Sequence, residues 1–186
     1  MNQKKILLHI CCAPCSIYPI EVLRKEGFYV MGLWYNPFIQ PYTEYKKRME
    51  AVKSYSKLIN LKVIYVDKYE LERFFRLVTF RESRRCPICY SERLKAAAAM
   101  AKKSKFDYFT TSLLYSRTQN HELIKEIAEE YSNKYEVSFL YRDFRVGWNY
   151  GIERSKEIGL YRQQYCGCIY SERDRYLKGG ASGQDK

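Results

Sequence analysis

The sequence predicts an α/β fold in which a parallel sheet is flanked by helices. Three observations lead to it. Short apolar runs alternate with longer, charged, helix-compatible segments along the chain, and strands alternating with helices form parallel sheets through right-handed crossovers. The first run, Ile6-Leu7-Leu8, is unbroken by polar residues, as a strand covered on both faces must be. Cys11-Cys12, Thr111-Ser112 and Asp143 stand directly after three of the runs, where open α/β sheets gather their chemistry.

The elements follow in order. Residues 5–10 read as a buried strand, and Pro14 suits the start of a helix that runs through 16–26 and closes at Gly27. Residues 28–35 form a second strand, broken by Asn36-Pro37. Helical spacing covers 42–59, a third strand 62–66, and a short helix 71–77. A basic stretch, 81–85, precedes Cys86-Pro87-Ile88-Cys89, and the Ala- and Lys-rich residues 90–105 form a helix. A fourth strand covers 106–111, a helix 122–131, and a fifth strand 137–141. Helix 150–158 closes at Gly159, the last cysteines follow in a loop, and a short helix covers 170–177. One catalytic α/β domain with a small cysteine-containing helical end thus occupies 1–178. The Gly- and Ser-rich residues 179–186 are expected to form a disordered tail.

Composition narrows the function. Hydrophobic residues, 46% of the 186, supply a core and exclude global disorder. No stretch approaches the roughly 18 apolar residues of a membrane span, so no membrane partner is expected. Lys4-Lys5 ahead of Ile6-Leu7-Leu8 resembles the opening of an export signal, but His9 interrupts it. A cytoplasmic protein is the expectation. Thirty-three Lys and Arg against 21 Asp and Glu give a net charge of +12, which favours a polyanionic partner, nucleic acid before membrane surface. The 19 tyrosines offer stacking faces with polar tips, and suit a wet protein surface as well as an RNA-binding one. Neither standard phosphate-binding glycine loop occurs.

All seven cysteines fall in three groups: Cys11-Cys12-x-x-Cys15, Cys86-x-x-Cys89 and Cys166-x-Cys168. An odd count without an export signal argues against a disulfide scaffold. Buried cysteines acting as small apolar residues would be scattered, and these are not. A structural zinc wants four ligands, typically from two clean knuckles. Here one knuckle is clean, and the adjacent Cys11 and Cys12 are not expected to converge on one small ion. An iron–sulfur cluster accepts thiolates from distant segments and leaves cysteines for a second site. A redox dithiol at Cys12-x-x-Cys15 is the third reading.

With these segments placed, the chain resembles the cobalamin-independent epoxyqueuosine reductases, the QueH family. The matching stretches are Leu7-Leu8-His9-Ile10-Cys11-Cys12-Ala13-Pro14-Cys15-Ser16, Cys86-Pro87-Ile88-Cys89-Tyr90-Ser91-Glu92-Arg93-Leu94, Thr110-Thr111-Ser112-Leu113-Leu114, Asp143-Phe144-Arg145, and residues 160–171 from Leu160-Tyr161-Arg162 through Cys166-Gly167-Cys168 to Ser171. They keep the family's order and span nearly the whole chain. Two positions depart from its pattern: Arg117-Thr118 where a proline would follow Ser116, and Val146 after the Asp-Phe-Arg triplet. Both touch fine substrate contacts rather than the chemistry.

The resemblance implies an oxidoreductase that reduces epoxyqueuosine to queuosine at the wobble position of tRNA, the last step in making that base. It implies a [4Fe-4S] cluster with a second, mononuclear iron nearby, no cobalamin, and an external electron donor. It also implies a Rossmann-like fold similar to the nucleotide-hydrolase and PP-loop group, with the phosphate loop replaced. Among the thiols, Cys12, Cys86, Cys89 and Cys168 are expected on the cluster and Cys11 and Cys166 at the neighbouring metal, with Cys15 supportive. Asp143 is expected as a metal ligand or as proton donor to the departing oxygen, against the alternative of an N-cap or ion-pair partner of Arg145. His9 reads as a satisfied core histidine, and His121 as a substrate contact or cap. Arg81, Arg84, Arg85, Arg145, Tyr161 and Arg162 are the candidates for tRNA contacts. Three readings compete: a zinc-stabilised RNA-binding module; a tRNA-thiolating enzyme, which would want a Ser-Gly-Gly loop that is absent; and a cytosolic thiol–disulfide reductase, which would need no cysteine beyond the first group.

Overall fold

The computed structural model describes residues 3–177. In chain order the main elements are β1 (Lys5–His9), α1 (Ala13–Lys25), β2 (Tyr29–Trp34), α2 (Tyr42–Leu58), β3 (Val63–Tyr65), α3 (Leu71–Val78) and α4 (Arg85–Lys103). They continue with β4 (Tyr108–Thr111), α5 (His121–Tyr135), β5 (Ser138–Phe139), α6 (Trp148–Glu157) and α7 (Ile169–Tyr176). All five strands are parallel, in the order β3-β2-β1-β4-β5. The expected α/β sheet flanked by helices is therefore what forms. Helices α1, α2 and α6 pack together, and α3, α4 and α5 pack together. The direction of winding reverses between β1 and β4, the point at which open α/β sheets place their sites, outside the carboxyl ends of the strands.

Apolarity on both faces explains the sheet. Ile6, Leu7 and Leu8 of β1 and Phe109 of β4 are fully buried. Each such side chain stabilises the fold by about 1.5–3 kcal/mol. Ala97, Ala98 and Ala101 of α4 are also fully buried, and their small size lets the helix lie close to the sheet. Gly147 lets the turn before α6 lie close to α1, since a Cβ there would stand 2.1 Å from the Tyr18 ring.

Two helices begin earlier than the sequence suggests. Helix α1 starts at Ala13, with the extended Cys12 as its cap. Helix α4 starts at Arg85, so Cys86 and Cys89 ride on its first turn rather than in a preceding loop. Pro87 permits this, because the first turn of a helix has no use for its missing N–H. The fifth strand shrinks to Ser138–Phe139 at the sheet edge. A second, smaller core forms where Phe38, Phe74 and Val78 meet Ile88, Cys168 and Tyr170. The expected tail, 179–186, lies outside the described residues. Among the described residues no helix is long and apolar enough to cross a membrane.

Candidate active site

The pairing of β1 with β4 sets His9 beside Thr111, so the chain leaves both strands at one level. The Cys11 N–H donates to Ser112 Oγ at 2.9 Å, and that hydroxyl donates to Cys11 Sγ at 3.2 Å. Extended backbone at Cys12 turns its sulfur over the first turn of α1, where it accepts the Cys15 N–H at 3.3 Å. The three sulfurs of Cys11, Cys12 and Cys15 thereby lie within 4.8 Å of one another, all buried. Contrary to expectation, the adjacent Cys11 and Cys12 converge, with sulfurs 3.9 Å apart. Cys15 is a full member of the set. Hydrogen bonds from Cys12, then Cys15, pull the Cys11 thiol well below its ordinary value despite burial. Burial, in turn, pushes Cys12 up, and its bond to Cys11 pushes Cys15 up.

Cys86, Cys89, Cys166 and Cys168 form a second, wider set. They act on one another electrostatically, yet among the described residues no three of them approach within 4.8 Å. Burial pushes the Cys89 thiol up to about 12, while Arg93 pulls it down. Arg93 is itself buried and feels Cys89, Cys166 and Cys11, so one cation stands between the two thiol sets. Two side-chain amides close the arrangement. Gln163 Nε2 donates to Cys12 Sγ at 2.8 Å and Cys15 Sγ at 3.4 Å, and Gln119 Nε2 donates to Cys166 Sγ at 3.2 Å.

The loop carrying Cys166 and Cys168 is held by α2. Arg48, 2% exposed, pairs with Glu44 at 2.6 Å. Its guanidinium donates to the carbonyls of Cys166 at 2.7 Å and Tyr165 at 2.9 Å. Glu44 also accepts the Tyr161 hydroxyl. Gly167, between the two cysteines, has φ +153°, a backbone state essentially reserved for glycine.

The remaining candidates divide. Asp143 accepts from the Arg145 backbone N–H at 3.0 Å, capping the 3-10 turn Phe144–Gly147, and pairs with the Arg145 side chain at 2.6 Å. Its carboxylate is not part of the tight thiol set. Arg145 holds its pKa down to about 2, so it carries no proton at neutral pH. These cap and ion-pair contacts with Arg145 are the ones the sequence reading named as the alternative to a metal or proton-donor role. His9 is the satisfied core histidine expected, its ring bonded to Thr111 Oγ1 and the Tyr35 carbonyl. His121 is buried and bonds the Ser116 carbonyl, while Asn120 supplies the cap of α5. Arg81, Arg84 and Arg162 are exposed. Arg85 instead pairs with Asp174 over the Tyr170 ring, and Tyr161 is tied to Glu44.

Sequence reasoning placed Ser112 at this edge but missed Glu44, Arg48, Arg93, Gln119 and Gln163 as parts of the site. Arg48 left a readable signal, since it lies on the stripe of Tyr45, Met49, Val52 and Tyr55 that forms the buried face of α2. The two glutamines left none.

Comparison with known proteins places the chain. The family described as "Epoxyqueuosine reductase QueH" matches residues 6–174. Epoxyqueuosine reductase QueH of Dehalococcoides mccartyi is 37% identical, over 94% of this chain and 96% of its own length. That of Thermotoga maritima is 37% identical, over 93% of each chain. Among solved structures, the U34-tRNA thiolase NcsA from Methanococcus maripaludis, with its [4Fe-4S] cluster, shares the fold at TM-score 0.62 and 13% identity. The likeness covers 97% of this chain and 69% of that one. On the family match and the length of the shared sequence, the chain belongs to the epoxyqueuosine reductase QueH family.

Proposed function

We propose that the protein reduces epoxyqueuosine to queuosine at the wobble position of tRNA, without cobalamin and with electrons from an external donor. The observation that carries this reading is the partition of all seven thiols into a tight and a wide set at one sheet edge. Thiolates sharing one tetrahedral ion at about 2.3 Å stand about 3.8 Å apart, close to the 3.9 Å between Cys11 and Cys12. Thiolates on a cubane sit on different irons and lie farther apart. The donor sets therefore fit a single metal ion at Cys11, Cys12 and Cys15, and a [4Fe-4S] cluster at Cys86, Cys89, Cys166 and Cys168. This division moves Cys12 and Cys166 from the sites that the sequence reading gave them.

Converting an epoxide to an alkene takes two electrons and two protons and releases water. When bound, the cluster would supply the electrons and the single ion a Lewis acid. The chain's own groups do the rest. Ser112, Gln163 and Gln119 donate hydrogen bonds to sulfurs of both sets. Arg93 offsets their charge where solvent is shut out. Asp143 stays ionised and orients Arg145. The exposed Arg81, Arg84 and Arg162 meet phosphates. The test is anaerobic incubation of the iron-loaded protein with dithionite and tRNA carrying epoxyqueuosine, followed by nucleoside mass spectrometry. The product should lack one oxygen atom. Unchanged epoxyqueuosine with fully loaded protein overturns the reading.

A further inference from the structure

We propose that Phe80 is a base-stacking residue that receives an unstacked base of the anticodon loop next to the wobble nucleotide. The proposal rests on the tRNA reading above. Phe80 is 95% exposed, more than any other large hydrophobic side chain among the described residues. It also has φ 60°, the left-handed region that bulky residues avoid. Both features oppose folding. The exposed ring forgoes the stabilisation that burial would give, and the left-handed backbone is strained for a residue with a bulky side chain. Among the described residues no other large hydrophobic side chain combines such exposure with a left-handed backbone.

The turn that presents the ring is braced. The Phe80 N–H donates to Glu82 Oε1 at 3.1 Å, the Arg81 N–H to the Val78 carbonyl at 2.8 Å, and the Arg84 N–H to the Arg81 carbonyl at 2.7 Å. Its anchor, Val78, packs in the small core with Ile88, Cys168 and Tyr170, so the turn stands at the rim of the wide thiol set. Arg81 and Arg84 are exposed on the same turn. An outward aromatic ring followed by exposed arginines is the composition that holds splayed, single-stranded bases, with stacking for placement and charge for the backbone. A base that must reach buried thiols has to leave the loop's own stack, and its neighbour then loses a stacking partner. Phe80 offers a replacement.

The test uses iron-loaded protein and tRNA carrying epoxyqueuosine, with 2-aminopurine beside the wobble position. Binding quenches its emission if the base stacks. Phe80→Ala should weaken binding about tenfold or more and abolish the quenching, with iron content unchanged. Phe80→Gly, which relieves the backbone, should be at least as stable as the parent and bind as poorly as the alanine variant. Phe80→Trp should keep both affinity and quenching. The salt slope of binding should stay constant in all three, whereas the Arg81→Gln/Arg84→Gln double variant should flatten it. Wild-type affinity and quenching in Phe80→Ala overturns the proposal. So does a variant whose only change is lost self-association on sedimentation, which would make the ring a contact between copies. If the wild type itself neither binds nor reduces the tRNA, the functional reading fails and the proposal fails with it.

Discussion

Replacing Arg48 by Met tests whether α2 braces the loop of Cys166 and Cys168. The substitution keeps an unbranched apolar stem and removes the guanidinium. It leaves the Glu44 carboxylate, whose side chain is 8% exposed, without its cation, and breaking a buried pair from one side costs about 3–5 kcal/mol. The Cys166 and Tyr165 carbonyls also lose charged donors at 2.7 and 2.9 Å. These losses overlap, because all arise from the same missing group, so about 3–5 kcal/mol is the expected total. For a chain of this size that is a fall in Tm of roughly 6–20 °C. Thermal and urea unfolding of the metal-free, reduced protein measure it without a cofactor's own contribution. The Glu44→Gln/Arg48→Met double variant removes both charges and leaves an acceptor for the Tyr161 hydroxyl. It should lose at least about 1.5 kcal/mol less than the two single losses added together. A loss under about 1 kcal/mol in Arg48→Met, or strict additivity in the cycle, would refute the brace.

Two further perturbations act on neighbouring groups. Gly167→Ala forces a side chain onto φ +153° and toward Arg48 Nη1, 3.3 Å from the added Cβ. It should cost about 1–3 kcal/mol and lower iron and sulfide loading, and full loading would show that the loop tolerates the strain. Asp143→Asn keeps a capping oxygen, so stability measured by urea unfolding should change by less than about 1 kcal/mol. Because the native carboxyl titrates at about 2, below its ordinary 3.8, its contribution is complete above about pH 4 and is lost only as the pH falls toward 2. With Arg145 untethered, turnover should suffer through KM rather than kcat. Loss of iron from this variant would make Asp143 a metal ligand instead.

The sheet was legible because Ile6-Leu7-Leu8 is an unbroken apolar run, as a strand covered on both faces requires, and because short apolar runs alternate with helix-compatible segments along the chain. The edge bearing Cys11, Ser112 and Asp143 followed from the alternation of elements. The start of α4 was not legible, since Cys86-Pro87-Ile88-Cys89 reads as a knuckle until the first-turn tolerance of Pro87 is seen in place. Convergence of Cys11 with Cys12 depended on the backbone dihedrals at Cys12, which local sequence does not dictate. The roles of Gln119 and Gln163 come from chain segments that meet only in the folded protein, so no spacing rule could point to them. Phe80 was invisible for the opposite reason: its distinguishing property is an absence of packing, and sequence patterns register only what is buried.

The division of the thiols is the centre of this account, and one measurement addresses it directly: Mössbauer spectroscopy with iron and acid-labile sulfide analysis on anaerobically reconstituted wild-type, Cys11→Ser and Cys89→Ser proteins. The wild type should hold about four cluster irons with as much sulfide and about one further iron per chain. Cys11→Ser should lose the single iron and keep its sulfide, whereas Cys89→Ser should lose the sulfide and the visible absorption. Loss of sulfide from Cys11→Ser, with Cys89→Ser still loaded, would contradict the division.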